Sequence, residues 1–203
     1  MEAARDAIIE AAGATFAAHG YEGASFSRVA QAMGKPKSAI GYHLFPSKFE
    51  LATAVIRRQQ ARWVQMEASL EEPAGVERLT AMLLVAGLEI RSTPLAAGAA
   101  RLLHELLHTD LDIPRDFLWA PFVRGQLIAA LSRAGMSPAK LEAGAEHVIL
   151  EASFGLVTAG RPDADADLSW RLRSLWVPVI EAMGVPDVEP LVAVRPPEPV
   201  RPD

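Results

Sequence analysis

Apolar residues recur at intervals of three and four along most of the chain, and this spacing predicts a protein built almost entirely of α-helices. Alternating β-branched runs are absent, so no strand prediction competes with the helices, and no internal repeat is present. Glycine and proline mark most of the breaks. The pattern predicts roughly nine helices, at residues 3–19, 25–33, 36–45, 47–70, 76–91, 95–108, 115–134, 138–159 and 167–183.

Residues 25–48 predict two short helices joined by a tight turn. Ser25 is a typical N-cap, Gly34 supplies a left-handed residue that ends the first helix, and Pro46 prevents the second from continuing. Such a pair is a helix-turn-helix, whose second helix lies in the major groove of DNA. The second helix carries groups that bond phosphates or base edges, although the Tyr42 ring can also pack between helices. These groups are Lys37, Ser38, Tyr42 and His43.

Composition restricts the remaining possibilities. The chain has 203 residues, half of them hydrophobic, which suffices for a sizeable core without disulfides or metals. It contains no cysteine, so disulfides and cysteine-bound zinc are excluded. No apolar run reaches the length of a membrane span, and the first residues lack the order of a signal peptide. We therefore expect a cytoplasmic protein that does not bind membranes.

The net charge of −5 is unusual for a protein that binds DNA, but its distribution is uneven. Residues 1–60 hold seven Lys and Arg against five Asp and Glu, whereas residues 61–203 hold thirteen against twenty. A mildly basic amino-terminal part followed by an acidic remainder is typical of a DNA-reading head on a body that does not touch DNA.

Two stretches, GYEGASFSRVAQAMG and YHLFPSKFELATAV, resemble the signature of TetR-family transcriptional repressors. One departure is visible: the stretch from Gly34 to Phe45 is one residue longer than in the family, and Gly41 interrupts its helix. The resemblance adds Ser25, Ser27, Arg28, Lys35 and Lys48 to the expected DNA contacts, with Lys48 on a phosphate. The matching positions are Gly20, Tyr21, Ser25, Ala30, Gly34, Tyr42, Phe45, Ser47, Lys48 and Leu51.

This resemblance implies an all-α architecture in which different parts of the chain bind DNA and bind the ligand. We expect a helix-turn-helix DNA-binding domain at residues 1–46 and a ligand-binding and dimerisation bundle at residues 47–185. Residues 186–203 hold six prolines and predict a disordered or extended tail. The expected partners are double-stranded operator DNA, a small hydrophobic effector and a second copy of the chain, with no cofactor, no metal and no catalytic residue.

The second half of the chain is similar, more weakly, to the γ-butyrolactone receptors within this family. Gln59, Pro94, Arg101, Trp119 and the Phe154-Gly155 step carry the similarity, whereas relatives have a threonine where this chain has Leu156. It implies an apolar pocket with a few fixed polar groups, although Trp119 can equally be a core residue. The expected ligand contacts are Gln59, Leu83, Gly87, Trp119, Phe154 and Thr158.

Two carboxy-terminal helices, near residues 138–159 and 167–183, are expected to form a four-helix dimer interface with a second copy, as in relatives. Apolar residues recur on them at helical spacing, and we expect them to be exposed on the single chain. The residues assigned to the interface are Ile149, Leu156, Leu172, Leu175, Trp176 and Val179.

Residues 104–108 spell a different motif, His104-Glu105-Leu106-Leu107-His108, which is the helical HExxH pattern of zinc proteases. Histidines at i and i+4 share a helix face and can hold zinc while the glutamate activates water. No third histidine follows at the extended spacing. A zinc-dependent hydrolase is therefore the alternative function, and the helix-turn-helix signature is the stronger of the two indications.

Overall fold

The computed structural model describes residues 2–36, 40, 44–107, 109–159 and 165–192. Within these ranges the chain forms α-helices and two short 3-10 turns, Pro138–Lys140 and Glu189–Leu191, and contains no strand. The all-α prediction is therefore confirmed. The helices are α1 (Glu2–Gly23), α2 (Phe26–Ala32), α3 (Lys48–Ser69), α4 (Val76–Ser92), α5 (Pro94–Leu106), α6 (Trp119–Arg133), α7 (Ala145–Ala159) and α8 (Asp165–Ala182).

One helix begins later than the apolar pattern predicted because a side chain holds the segment before it. The loop that precedes α6 is bound by the amide of Gln60 on α3. Its Nε2 donates to the carbonyl of Pro114 at 2.9 Å, and its Oε1 accepts the N–H of Asp116 at 2.9 Å. With these backbone groups bonded to Gln60, the segment from residue 115 stays outside the helix, which starts at Trp119.

The start of α7 and the predicted tail also differ from expectation. Ser137 caps a 3-10 turn and Leu141 is extended, so the helix expected from residue 138 begins at Ala145. Val188 and Val192 are buried, which orders residues 186–192 against the disordered or extended tail predicted for them. The rest of that tail, residues 193–203, lies outside the described residues.

The chain divides into two compact units, Met1–Val64 with Glu89–Phe117, and Gln65–Leu88 with Leu118–Asp203. Helices α3 and α4 each contribute residues to both units. This division follows packing, whereas the predicted boundaries at residues 46 and 185 concern DNA and ligand binding. Those boundaries therefore remain predictions.

The first unit is organised around a close crossing of α1 and α5. A Cβ placed on Gly98 would lie 2.1 Å from the carbonyl oxygen of Gly13, and one on Gly13 would lie 2.7 Å from the Cα of Leu95. Only glycine allows two helix backbones to approach this closely. Around the crossing lies a continuous apolar core that includes Ile8, Phe16, Val29, Ile40, Phe45, Leu51, Val55, Ala99 and Leu102.

The second unit buries residues from α4, α6, α7 and α8. The indole N–H of Trp176 donates to the Ser153 hydroxyl at 2.9 Å, so the buried tryptophan has a hydrogen-bond partner. A Cβ on Gly87 would lie 3.0 Å from the Val157 side chain. Gly87 therefore permits a close contact between helices at this position.

All six residues assigned to the dimer interface were expected to be exposed on the single chain, and for three of them this expectation is wrong. Ile149, Leu172 and Trp176 are buried within the single chain at 1%, 0% and 1% relative exposure. They form the core of the second unit because α7 and α8 pack against other helices through these faces. Leu156, Leu175 and Val179 are half-buried.

No single helix among the described residues is long and apolar enough to cross a membrane. Helices α4 and α5 would together have the length and apolar composition of a membrane span, but the pair is bent by 108°.

We expect Gly98→Ala to lower the free energy of unfolding by at least about 1–3 kcal/mol, because the new methyl group overlaps the Gly13 carbonyl and forces α1 from α5. Urea denaturation followed by circular dichroism measures this loss. Gly125→Ala in α6 is the matched control, since nothing lies within 4 Å of its added Cβ. That variant should gain about 0.5–1 kcal/mol from helix propensity. Equal stabilities for the two variants would contradict the backbone contact.

Candidate nucleic-acid interface

The predicted turn after the first helix of the motif is present in the structure. The Ser25 hydroxyl caps α2 by accepting the N–H of Arg28 at 3.3 Å. Gly34 has φ +63°, and the N–H of Lys35 returns to the Ala30 carbonyl at 2.9 Å. These bonds satisfy the last carbonyls of α2 and turn the chain sharply, as a helix-turn-helix requires.

Several predicted DNA contacts are accessible on this motif. Ser25, Ser27, Arg28 and Lys35 are exposed, and a guanidinium N–H of Arg28 donates to Nδ1 of His19 at 3.0 Å. The other predicted contacts of this motif, Lys37, Ser38, Tyr42 and His43, lie outside the described residues.

Both flanks of residues 41–43 are anchored in the core. Ile40 and Phe45 are 5% and 2% exposed, and the Arg5 guanidinium lies 5.1 Å from the centre of the Phe45 ring. Both residues therefore belong to the apolar core of the first unit.

Lys48 is the first residue of α3, as predicted. Ser47 caps this helix by accepting the N–H of Glu50 at 3.1 Å. The Lys48 ammonium lies 4.4 Å from the centre of the Tyr21 ring and 3.9 Å from a carboxylate oxygen of Glu22. A cation at a helix amino terminus beside free N–H groups is suited to a phosphate.

Sequence reasoning missed a contact between α1 and α5 close to this lysine. Gly20 has φ +69° and ψ −178°, which kinks α1 although the helix continues to Gly23 instead of ending at residue 19. Glu105 on α5 accepts the N–H of Tyr21 at 2.6 Å, and Arg101 donates to the Ala17 carbonyl at 2.9 Å. No local signal announces this contact, because 84 residues separate its partners.

The contact also accounts for the glutamate of the HExxH motif. Both carboxylate oxygens of Glu105 are engaged, one by Tyr21 N–H and the other by Arg101 Nε at 2.7 Å. His104 is exposed, and His108 lies outside the described residues. In the part of the chain that the structure describes, no three His, Cys, Asp or Glu side chains form a metal site. The hydrolase alternative thus gains no support from the geometry.

The predicted ligand residues occupy different environments. Gln59 is fully buried in the first unit, where its Nε2 donates to a Glu89 carboxylate oxygen at 2.6 Å. Arg62 donates to the other Glu89 oxygen. The Gln59 amide oxygen is buried without a hydrogen-bond partner among the described residues. Glu89 is an addition to the predicted set, and its pairing with Gln59 leaves one acceptor unused.

The remaining predicted ligand residues belong to the second unit. Leu83 is buried, while Trp119 and Phe154 are half-buried. The rings of Trp119 and Phe122 meet edge to face at 6.1 Å. Thr158 is exposed and its hydroxyl donates to the Phe154 carbonyl at 2.9 Å, as hydroxyls on helices commonly do. The structure therefore gives Thr158 a local bond that needs no ligand.

The sequence profile of the bacterial regulatory proteins of the tetR family matches residues 8–55, which include most of α1, all of α2, the turn at Gly34 and the start of α3. The match covers the amino-terminal quarter of the chain. The family resemblance drawn from residues 20–51 is therefore confirmed.

The chain is also similar to proteins with known names. The HTH-type transcriptional repressor AcnR of Corynebacterium efficiens is 40% identical over 79 residues, which cover 39% of this chain and 40% of that repressor. The match thus spans less than half the length of that relative.

Solved structures extend the similarity to most of the chain. One, from work on the control of antibiotic production by bacterial hormones, is 29% identical with a TM-score of 0.63 and covers 89% of this chain and 95% of its own. The crystal structure of a γ-butyrolactone receptor (ArpA-like protein) is 20% identical with a TM-score of 0.66 and covers 94% and 95%. At that identity the receptor shares the fold.

We expect the Glu105–Tyr21 bond to make stability depend on pH in one direction. Burial raises the pKa of Glu105, but the hydrogen bonds from Tyr21 and Arg101 and the charges of Arg101 and His104 outweigh it and lower this pKa. Because the pKa is lower in the folded state, the stabilisation is complete above the unfolded value of about 4.3 and is lost as pH falls through the folded value.

The measurement is the difference in free energy of unfolding between wild type and Glu105→Gln as a function of pH. It should be constant above about pH 5 and shrink below about pH 4. A difference that stayed the same across this range would show that the carboxylate charge is not what stabilises the contact.

Proposed function

We propose that this chain is a transcriptional repressor that binds a pseudo-palindromic operator as a homodimer and releases it when a small hydrophobic effector binds. The observation that carries the proposal is the first part of the motif, a capped α2 followed by the Gly34 turn, together with Lys48 at the amino end of α3. The second helix predicted at residues 36–45 lies mostly outside the described residues. The name of the corynebacterial relative, a transcriptional repressor, supports the same function. Such a protein would act in the cytoplasm, where its operator is.

The homodimer follows from the limited reach of one head. A single short recognition helix reads too few base pairs for useful specificity, and two heads about 34–36 Å apart on DNA supply the rest. We place the interface on α7 and α8, where Leu156, Leu175 and Val179 remain assigned to it. Val148 and Trp170 on the same helices are 53% and 66% exposed, large values for apolar side chains in a single chain.

For the effector we propose a small molecule with an apolar body and a hydrogen-bond donor, such as a γ-butyrolactone or furan-type signal that carries a hydroxyl group. The unused amide oxygen of Gln59 supports the donor. Its orientation is fixed by chemistry, because turning the amide around would set its oxygen against the Glu89 carboxylate. A buried acceptor left unpaired costs about 1–3 kcal/mol, which a hydroxyl of the effector would recover.

The other effector contacts proposed from the receptor resemblance are Leu83, Gly87, Trp119, Phe154 and Thr158. Trp119 would supply a flat apolar wall and Leu83 an aliphatic one, the lining that pockets for small apolar ligands commonly have. Release requires that the effector bind the DNA-incompetent arrangement of the dimer more tightly than the competent one. A difference of about 3 kcal/mol would reduce operator affinity roughly 150-fold.

Lys48→Ala should weaken binding to DNA from upstream of the chain's own gene by about tenfold, because it removes one charge-assisted phosphate bond. Fluorescence anisotropy over a range of salt concentrations measures affinity and slope together, and the slope of log K against log salt should fall by about 0.9. Lys140→Ala, which removes an exposed lysine from the 3-10 turn in the second unit, is the matched control. Identical slopes for the two variants would exclude a phosphate contact at Lys48, and no wild-type binding at low salt would exclude the repressor.

Trp119→Ala should leave operator affinity unchanged and abolish release by a hydroxyalkyl γ-butyrolactone, because the flat wall for the effector is gone. Titration of the protein–DNA complex with the lactone, followed by anisotropy, tests this. Ile128→Ala on the same helix is the control and should release DNA like wild type. Release by Trp119→Ala at the wild-type lactone concentration would remove Trp119 from the site, while release by neither variant nor wild type would reject the lactone as effector.

A further inference from the structure

The kink in α1 leaves two backbone groups without their helical partners, and α5 bonds both of them. In a regular α-helix the N–H of Tyr21 would donate to the carbonyl of Ala17, four residues earlier. Gly20 turns this N–H away, and it donates to Glu105 at 2.6 Å instead. The Ala17 carbonyl accepts from Arg101 at 2.9 Å. Arg101 Nε and Glu105 are themselves joined at 2.7 Å, so this side-chain pair replaces the missing helical bond.

The fit of this pair to the kink is close. A Cβ on Gly20 would lie 2.5 Å from Glu105 Oε1 and 2.8 Å from a terminal nitrogen of Arg101. The left-handed φ and the lack of space therefore both require glycine at this position. We call the arrangement of Gly20, Tyr21, Arg101 and Glu105 the kink clamp.

The kink clamp holds the residue that contacts Lys48. The Tyr21 ring stacks on Phe16 with centroids 6.3 Å apart and planes 10° apart, and Phe16 is fully buried. The Lys48 ammonium lies 4.4 Å from the centre of the same tyrosine ring. A cation near the centre of an aromatic ring is attracted by its π-electrons. The ammonium also donates to the Glu22 carbonyl at 3.5 Å and lies 3.9 Å from the Glu22 carboxylate. Since Tyr21 and Glu22 are adjacent, the position of this backbone segment sets where the Lys48 ammonium is held.

We propose that Arg101 and Glu105 are positioning residues for operator binding, which fix Tyr21 through the kink clamp and thereby hold the Lys48 ammonium at the place of a DNA phosphate. This inference rests on the repressor function proposed above. It assigns the role to α5, which contacts α1 directly, in addition to the continuous helix α3 that begins at Lys48. Without the clamp, the Tyr21 N–H and the Ala17 carbonyl lose their acceptor and donor, and stacking on Phe16 alone holds the ring that orients Lys48.

The test is a double-mutant cycle between Glu105→Ala and Lys48→Ala, with affinity for the same upstream DNA measured over a range of salt concentrations. Glu105→Ala alone should lower the slope of log K against log salt by about 0.9, the value of one phosphate contact. In the Lys48→Ala background it should change neither slope nor affinity, because the contact is already absent. A purely structural role would weaken binding equally in both backgrounds.

Glu146→Ala is the matched control, since it breaks an ion pair with Arg124 of 3.0 Å in the second unit and should leave the slope at the wild-type value. If Glu105→Ala does not fold, Glu105→Gln keeps an acceptor for the Tyr21 N–H and should give a smaller slope change with the same dependence on Lys48. Amide hydrogen exchange at Tyr21, faster in either Glu105 variant than in wild type, reports the opened clamp without DNA.

The outcomes separate the two proposals. Wild-type binding with an unchanged slope in the Glu105 variants, or additive losses with Lys48→Ala, overturns the positioning role alone. Unchanged exchange at Tyr21 in these variants overturns the clamp. A wild-type chain that binds none of the DNA at low salt rejects the repressor, and with it the positioning role.

Discussion

The contact between the backbones of α1 and α5 at Gly13 and Gly98 is the constraint on which the first unit depends. Because no side chain separates the two helices there, their crossing point is set by the van der Waals radii of backbone atoms. Rows of residues at helical spacing on either side then meet in a fixed order. Arg101 and Glu105 follow Gly98 on α5, just as Ala17 and Gly20 follow Gly13 on α1. The hydrogen bonds at the kink are thus a consequence of where the glycines place the helices.

This arrangement gives the amino-terminal head two connections to the rest of the chain. One is covalent, since α3 begins at Lys48 and continues without interruption to Ser69. The other is the packing of α5 on α1, strengthened by charged hydrogen bonds at one end. The compact unit that contains the helix-turn-helix accordingly includes Glu89–Phe117, which the sequence pattern assigned to the bundle. Helix α5 therefore lies within the predicted bundle, residues 47–185, but packs in the same unit as α1 and α2.

Sequence reasoning succeeded where structure depends on a few neighbouring residues. Ser25 and Ser47 cap helices and Gly34 adopts the left-handed conformation, because each acts on backbone groups within four positions of itself. The HExxH motif shows the limit of such reasoning, since Tyr21, whose N–H Glu105 accepts, is 84 residues away from it. A local pattern specifies which chemistry a side chain can perform, but not which group it meets.

The carboxy-terminal helices show a second limit. Apolar periodicity identifies helix faces that avoid water, but it does not distinguish a face that packs within the chain from one that packs on another copy. Ile149, Leu172 and Trp176 satisfied that pattern and lie in the core.

The bond between Gln60 and the loop before α6 has a consequence for which residues this position accepts. The Gln60 amide donates to one backbone carbonyl and accepts from an N–H two residues later, as a neighbouring β-strand would. Glutamate has the same shape, yet its carboxylate would face the Pro114 carbonyl with an oxygen in place of the donor. Asparagine has the right groups on a side chain one carbon shorter. The direction of two hydrogen bonds therefore requires glutamine at position 60. Deamidation, a chemical ageing reaction that converts glutamine to glutamate, would remove the donor and release the loop.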